Sequence, residues 1–117
     1  MRQYKKYTFW RDAIEFTIEV YNLTKEFPKH EVFGLASQMQ RAASSIPSNI
    51  AEGAGRNTDA DFAHFLDTAM GSAFEVDTQL LLSYRLNYIT EEQFNKASAE
   101  IDSIQKRMYQ FMQKLRG

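Results

Sequence analysis

The sequence predicts an all-α protein, an antiparallel up-down-up-down four-helix bundle that forms a single domain over residues 1–117. Two observations lead to this fold class. Apolar residues recur at steps of three and four along four separate stretches, and no useful length alternates with the period of two that marks a strand. The breaks between the stretches are short, and short connections place consecutive helices side by side in opposite directions.

Helix one is predicted from about Thr8 to Phe27. Apolar residues fall on one face of this helix, at positions 9, 13, 16, 20, 23 and 27. Pro28 ends the helix, because a proline disfavours helical geometry in the residue before it.

Helix two is predicted from about Glu31 to Ala54, with Pro47 inside it. Proline has no amide hydrogen and its ring clashes with the preceding turn, so we expect a kink at Pro47. Gly55 is expected just after the C-terminal end, where glycine is common.

Helix three is predicted to start at Thr58, a favourable N-cap residue, and to end near Asn87. The small residues 71–73 are expected to let a neighbouring backbone approach closely. Helix four opens with a capping box formed by Thr90 and Gln93. An unbroken apolar seam at steps of three and four then continues to the C-terminal end of the helix.

Composition excludes several classes of protein. The chain has no Cys, which rules out disulfides, thiolate metal sites and a cysteine nucleophile. Its first residues are not followed by the apolar segment of a signal peptide, and no apolar run is long enough to span a membrane. We therefore expect a soluble cytoplasmic protein.

Charge is distributed unevenly along the chain. Residues 1–11 and 103–117 each carry four bases and no acid, whereas residues 12–102 carry 15 acids and 6 bases. In an up-down-up-down bundle the two basic segments and the turn between helices two and three lie at one end. We call this end the basic pole and define it by nine cations: Arg2, Lys5, Lys6, Arg11, Arg56, Lys106, Arg107, Lys114 and Arg116.

The basic pole is a candidate nucleic-acid interface. Basic residues with interleaved aromatic rings suit contacts with phosphates and stacked bases. The rings that lie among the cations are Tyr4, Tyr7, Trp10 and Tyr109. The alternative is that these rings belong to the core or to a subunit interface, and that the cations are solvated or face acids of a neighbour.

A second candidate is a polar group in helices two and three, formed by Arg41, Asn49, Glu52 and Glu75. One interpretation is a functional site between the two helices. The other, which is more common in helical bundles, is a structural network that sets the helix register around Pro47. In that network Glu75 would approach Arg41 or the backbone near Asn49.

The sequence contains few residues that could form a catalytic site or a metal site. A di-iron bundle needs two Glu-x-x-His pairs and two further Glu residues, whereas the chain offers only Asp61-x-x-His64. The serines 44, 45 and 48 have no identifiable His and Asp partners, and the glycine-rich residues 53–56 follow no strand, as a phosphate-binding loop would. We therefore expect no enzymatic activity, no metal, no cofactor and no small-molecule substrate.

Two motifs carry a family resemblance. Helix two contains Ser45-Ile46-Pro47-Ser48-Asn49-Ile50-Ala51-Glu52-Gly53, and helix three contains Gly71-Ser72-Ala73 followed by Glu75. With Trp10-Arg11-Asp12-Ala13 in helix one, they resemble the four-helix-bundle proteins named after intervening sequences in bacterial 23S ribosomal RNA genes, also called the S23 ribosomal-protein family. The resemblance covers nearly the whole chain.

The resemblance implies ring-like homo-oligomers, with a pentamer as the expected ring. The family that the sequence resembles includes relatives of accessory proteins of retroelement reverse transcriptases, which work with nucleic acid. The resemblance implies no agreed enzymatic activity. The sequence adds a reason for assembly, because helices one and three carry large apolar residues outside their core faces. We expect a non-enzymatic ring that binds RNA, DNA or a ribonucleoprotein through the basic pole; the alternative is a purely protein-binding oligomeric scaffold.

Overall fold

The computed structural model describes residues 2–117 and confirms the all-α fold. Its four α-helices are α1 (Thr8–Thr24), α2 (Leu35–Ala54), α3 (Asp59–Arg85) and α4 (Glu91–Arg116). Short 3-10 helices at Tyr4–Lys6 and Lys29–Glu31 precede α1 and α2, and no strand occurs among the described residues.

Each helix packs beside its neighbours in the chain, and α1 also packs beside α4. Helices α1 and α3 therefore lie diagonally across the bundle, which measures 43 × 24 × 19 Å. The rings of Phe9 and Phe62, near the start of α1 and α3, both lie against Phe111 near the end of α4, at 5.4 and 5.6 Å. Neighbouring helices thus run in opposite directions around one apolar core.

The connection between α1 and α2 is longer than the sequence predicts. Helix α1 ends at Thr24 rather than Phe27, because the amides of residues 26 and 27 bond three residues back and tighten the chain into a turn. Helix α2 begins at Leu35 rather than Glu31. Glu31 lies in a 3-10 turn, and its carboxylate accepts the Leu35 amide at 3.1 Å.

The predicted starts of α3 and α4 are confirmed. The Thr58 hydroxyl accepts the amide of Asp61 at 3.1 Å. At α4 the Thr90 hydroxyl accepts the amide of Gln93 at 3.1 Å, and the Gln93 side chain accepts the Thr90 amide at 2.9 Å. Helix α3 ends at Arg85, and Asn87 then takes a left-handed conformation with φ of 64°.

Helix α2 continues through Pro47, which is buried. The kink at this position remains a prediction. Gly53 shows why the end of α2 can approach α3: a Cβ at this position would lie 2.6 Å from the Cβ of Phe65 and 2.9 Å from the ring of Phe62. The expectation of a close approach at Gly71 is wrong, because Gly71 is exposed and a Cβ there would meet nothing within 4 Å.

Candidate nucleic-acid interface

Contacts between three parts of the chain form the basic pole. Arg107 on α4 donates to the Thr8 hydroxyl at 3.1 Å and pairs with Asp12 on α1 at 2.7 Å. Arg2 donates to the backbone oxygen of Arg56, in the α2–α3 turn, at 2.6 Å. The start of α1, the end of α4 and the α2–α3 turn therefore share one end of the bundle.

Arg2 fixes the N-terminal segment to the α2–α3 turn. Its guanidinium donates to the carbonyl oxygen of Ala54 at 3.3 Å, pairs with Asp59 at 2.7 Å and lies 4.9 Å from the ring centroid of Phe62. A cation at the C-terminal end of a helix satisfies free carbonyl groups and interacts favourably with the helix dipole. The role of Arg2 is therefore mainly structural.

Five of the nine cations form ion pairs with acids of the same chain. The pairs are Arg2–Asp59, Arg56–Glu52, Lys106–Asp102, Arg107–Asp12 and Arg116–Asp67. Arg116 binds both carboxylate oxygens of Asp67, and this hydrogen bonding raises the pKa of Arg116. Each pair cancels charge locally, so the positive potential of the pole depends on the remaining cations.

The other four cations have no acid partner among residues 2–117. They are Lys5, Lys6, Arg11 and Lys114, and all four are exposed. The two N-terminal lysines lie in the first 3-10 helix, Arg11 lies in the first turn of α1, and Lys114 lies in the last turn of α4. We call these four residues the free cations. Exposed charges of one sign attract phosphate groups.

Three of the four aromatic rings near these cations pack into the bundle. Tyr4 meets Trp10 edge-on at 5.2 Å between ring centroids, and Tyr7 stacks on Phe9 at 5.3 Å. Burial raises the pKa of the Tyr7 hydroxyl. Tyr109 is 56% exposed, but it lies in a groove between α3 and α4. The pole therefore offers cations to a phosphate backbone and few free rings to bases.

Short polar side chains connect α2 to α3 where the sequence predicts a charged network. The Asn49 amide donates to the carbonyl oxygen of Ser45 at 2.8 Å and to its hydroxyl at 2.9 Å. The Ser45 hydroxyl lies 2.9 Å from the Ser72 hydroxyl on α3. The link between the two helices at this height is thus a neutral Asn–Ser–Ser chain.

The charged residues of the expected network lie apart at the surface. Glu75 and Arg41 are both exposed, and Glu75 accepts a hydrogen bond from Gln79 at 3.3 Å. Glu52 pairs with Arg56 at the basic pole at 3.2 Å. The expected approach of Glu75 to Arg41 does not occur, because both side chains point away from the α2–α3 contact into solvent.

A cluster of charged side chains that the sequence does not predict joins α1 to α4. The Lys96 ammonium lies 2.8 Å from Glu19 on α1 and 2.8 Å from Glu100 on α4. Burial raises the pKa of Glu19, and hydrogen bonds to Glu100 and Glu19 raise the pKa of Lys96. The spacing of Lys96 and Glu100 is visible in the sequence. The contact between Lys96 and Glu19 cannot be predicted from spacing, because Glu19 lies on another helix.

Metal ligands do not converge anywhere in the described chain. Within residues 2–117, no three His, Cys, Asp or Glu side chains are grouped so that they could hold a metal ion. No helix in this part of the chain is long and apolar enough to cross a membrane.

Comparisons with known proteins agree with one another. A family model described as 23S rRNA-intervening sequence protein matches residues 5–110. A crystal structure of a protein with unknown function, from the S23 ribosomal protein family of Bacteroides thetaiotaomicron VPI-5482, matches with a TM-score of 0.84 and 28% sequence identity. That match covers 90% of this chain and 98% of the other. No curated protein matches the sequence.

Proposed function

Because the chain belongs to the 23S rRNA-intervening sequence protein family, we propose that it is a non-enzymatic, ring-forming bundle that binds nucleic acid through its basic pole. The observation that supports this proposal most directly is the group of free cations, which no acid of the described chain neutralises. The ring we expect is a homopentamer, and the location we expect is the cytoplasm.

A ring would strengthen weak contacts at the pole. Cyclic symmetry places the same end of every subunit on the same side of the ring, so the free cations of all copies would form one positively charged surface. A single nucleic-acid strand that touches several copies gains from multivalent binding. Such contacts to phosphate groups release counterions and carry little base specificity.

Binding of a labelled single-stranded RNA, measured by fluorescence anisotropy at low salt, tests the proposal. The double variant Lys5→Gln/Lys6→Gln removes two free cations at the pole. The control Lys29→Gln/Arg85→Gln removes two exposed cations at the opposite end, with the same change in net charge. We expect the pole variant to weaken binding about tenfold, as for the loss of two phosphate contacts, and the control to leave it nearly unchanged.

Equal weakening in both variants would show attraction by overall charge and would contradict binding at the pole. The absence of binding by the wild-type protein at low salt would reject nucleic acid as the partner.

A purely protein-binding oligomeric scaffold is the second candidate, and one observation favours it. Phe33 is 97% exposed and Val32 is 52% exposed, in the loop between α1 and α2 at the end opposite the basic pole. Exposed aromatic residues are common energetic centres of protein interfaces. A partner protein that binds the Lys5→Gln/Lys6→Gln variant but not Phe33→Ser would support this function.

A further inference from the structure

Two partly exposed and largely apolar surfaces lie on diagonally opposite helices. The α1 stripe consists of Ile14, Ile18, Tyr21 and Lys25. The α3 stripe consists of Met70, Phe74, Asp77 and Leu81, of which Met70 is only 9% exposed. Ile18, Tyr21, Phe74 and Leu81 are 50%, 44%, 56% and 46% exposed. Because α1 and α3 do not contact each other within residues 2–117, the two stripes cannot cover each other in one copy.

The two stripes have the same spacing. Their residues follow steps of four, three and four, at 14, 18 and 21 on α1 with Lys25 directly after its end, and at 70, 74, 77 and 81 on α3. Each residue of the α3 stripe therefore lies 56 places after its counterpart. Alternating steps of three and four let two parallel helices contact each other over several turns.

Contacts inside the bundle also place the two stripes at similar heights. Near the basic pole, Phe9 and Phe62 lie against the same ring, and their residue numbers differ by 53. At the other end, the Gln40 amide donates to the hydroxyl of Thr24 on α1, at 2.9 Å. The preceding residue, Met39, accepts a hydrogen bond from Ser83 on α3 at 3.2 Å, and Ser83 lies 59 places after Thr24.

The two offsets, 53 near the basic pole and 59 at the other end, lie on either side of 56, so counterparts in the two stripes differ in height by at most about three residues, or roughly 5 Å. In a ring whose axis runs along the bundles, all copies stand at the same height. The α1 stripe of one copy then faces the α3 stripe of the next copy to within about one helical turn.

The stripes would meet through apolar side chains nearer the basic pole and through polar and apolar side chains at the other end. Ile14 would face Met70 and Ile18 would face Phe74, so apolar residues meet at these two levels, whereas Tyr21 would face Asp77 and Lys25 would face Leu81. Lys25 would lie one helical turn from Asp77, within reach of a lysine side chain. Neither Lys25 nor Asp77 has an ion-pair partner within residues 2–117.

The α3 stripe borders a groove against α4 that is suited to accept another helix. The groove has a volume of about 440 Å³, and its walls include Met70, Phe74, Tyr109 and Met112. Gln105 also lines it, is 9% exposed, and has a buried amide nitrogen with no hydrogen-bond acceptor among the described residues. A neighbouring molecule in the groove can supply the missing acceptor.

From these observations, and resting on the ring of the proposed function, we propose that adjacent copies join head to tail. The α1 stripe of one copy packs along the α3 stripe, in the α3–α4 groove, of the next copy. Such a contact uses two different surfaces, so it is heterologous rather than two-fold, and it closes into a ring when the rotation between successive copies adds up to a full turn.

Light scattering of wild-type protein and three variants tests this contact. Ile18→Asp and Phe74→Asp each place a charge inside one stripe. Leu82→Asp is the matched control, because Leu82 is 48% exposed on the same helix as Phe74 but lies outside the stripe. We expect the first two variants to fall to the 13.6 kDa mass of one chain and the control to keep the mass of the wild-type ring.

A charge exchange keeps the test independent of folding defects. Lys25→Asp and Asp77→Lys should each lower the mass, and the double variant Lys25→Asp/Asp77→Lys should restore it.

The outcomes separate the contact from the ring. A wild-type protein of 13.6 kDa would contradict the ring itself. A wild-type ring that persists in Ile18→Asp and Phe74→Asp, or dissociates only in Leu82→Asp, would keep the ring and overturn this contact. A double variant that stays dissociated would overturn the Lys25–Asp77 pairing.

Discussion

The Thr17 hydroxyl on α1 lies 3.1 Å from the carbonyl oxygen of Ala43 on α2. In an uninterrupted helix this oxygen would accept the amide hydrogen of residue 47, which Pro47 lacks. Ala43 is fully buried, so water does not reach its carbonyl group easily. The Thr17 hydroxyl also lies 2.7 Å from the Ala13 carbonyl oxygen of its own helix. Thr17 thus places a donor from α1 at the one α2 carbonyl that proline leaves without its helical partner.

Replacement of Thr17 by Val should destabilise the protein by about 1 kcal/mol, because the buried Ala43 carbonyl oxygen loses a hydroxyl donor that it shares with the Ala13 carbonyl oxygen. The shape of the side chain is nearly conserved, so packing changes little. Thr17→Ser keeps the hydroxyl and should be less destabilising. Urea denaturation monitored by circular dichroism measures the difference. Equal stability of wild type and Thr17→Val would show that the carbonyl does not depend on Thr17.

Two glycine substitutions should change stability in opposite directions. Gly53→Ala should destabilise the protein by about 1–3 kcal/mol, because the new Cβ would overlap the side chains of Phe65 and Phe62. Gly71→Ala should instead stabilise it by about 0.5–1 kcal/mol, since alanine is the better helix former and the site is open. Thermal melting of both variants tests this, and stabilisation by Gly53→Ala would contradict the close packing at that position.

The start of α2 should weaken in acid. Hydrogen bonds from the Leu35 amide and the Tyr88 hydroxyl hold the pKa of Glu31 below its usual 4.5. A lowered pKa in the folded state means that ionised Glu31 stabilises the fold above pH 4.5, and that this stability is lost as the pH falls through the lowered value. In Glu31→Gln this contribution is absent at every pH. Wild type should therefore lose more stability than the variant between about pH 6 and pH 3.

Denaturation curves at several pH values measure this difference. Parallel loss of stability in wild type and Glu31→Gln would show that Glu31 does not titrate in this way.

Sequence reasoning succeeds where local patterns decide the structure and fails where another helix contributes. The Thr90–Gln93 capping box is local, and it forms as predicted. Whether Glu75 faces α2 or solvent depends on the rotation of α3 about its own axis. The spacing of residues within one helix does not specify that rotation. Gly71 shows the same limit. A small residue is compatible with close packing or with open surface, and only the assembled bundle distinguishes the two.

Charge patterns in the sequence predict only part of the structure of the basic pole. The order of the helices predicts that three segments of the chain meet at one end, and the distribution of Lys and Arg shows that these segments are basic. This distribution does not predict that Asp12, Asp59 and Asp67 neutralise three of the arginines. These acids lie on α1 or α3, far in sequence from the arginines they pair with, and no pattern along one helix indicates the pairing.

The dependence of RNA affinity on salt tests the role of the free cations most directly. Lys114 and Lys106 are both exposed on the last part of α4, but Lys106 pairs with Asp102 at 3.0 Å and Lys114 has no acid partner among residues 2–117. In a plot of log affinity against log salt, we predict that Lys114→Gln makes the slope shallower by about 0.7 for each lost phosphate contact, and that Lys106→Gln changes it much less. A wild-type slope in Lys114→Gln, or a larger change in Lys106→Gln, would contradict the account.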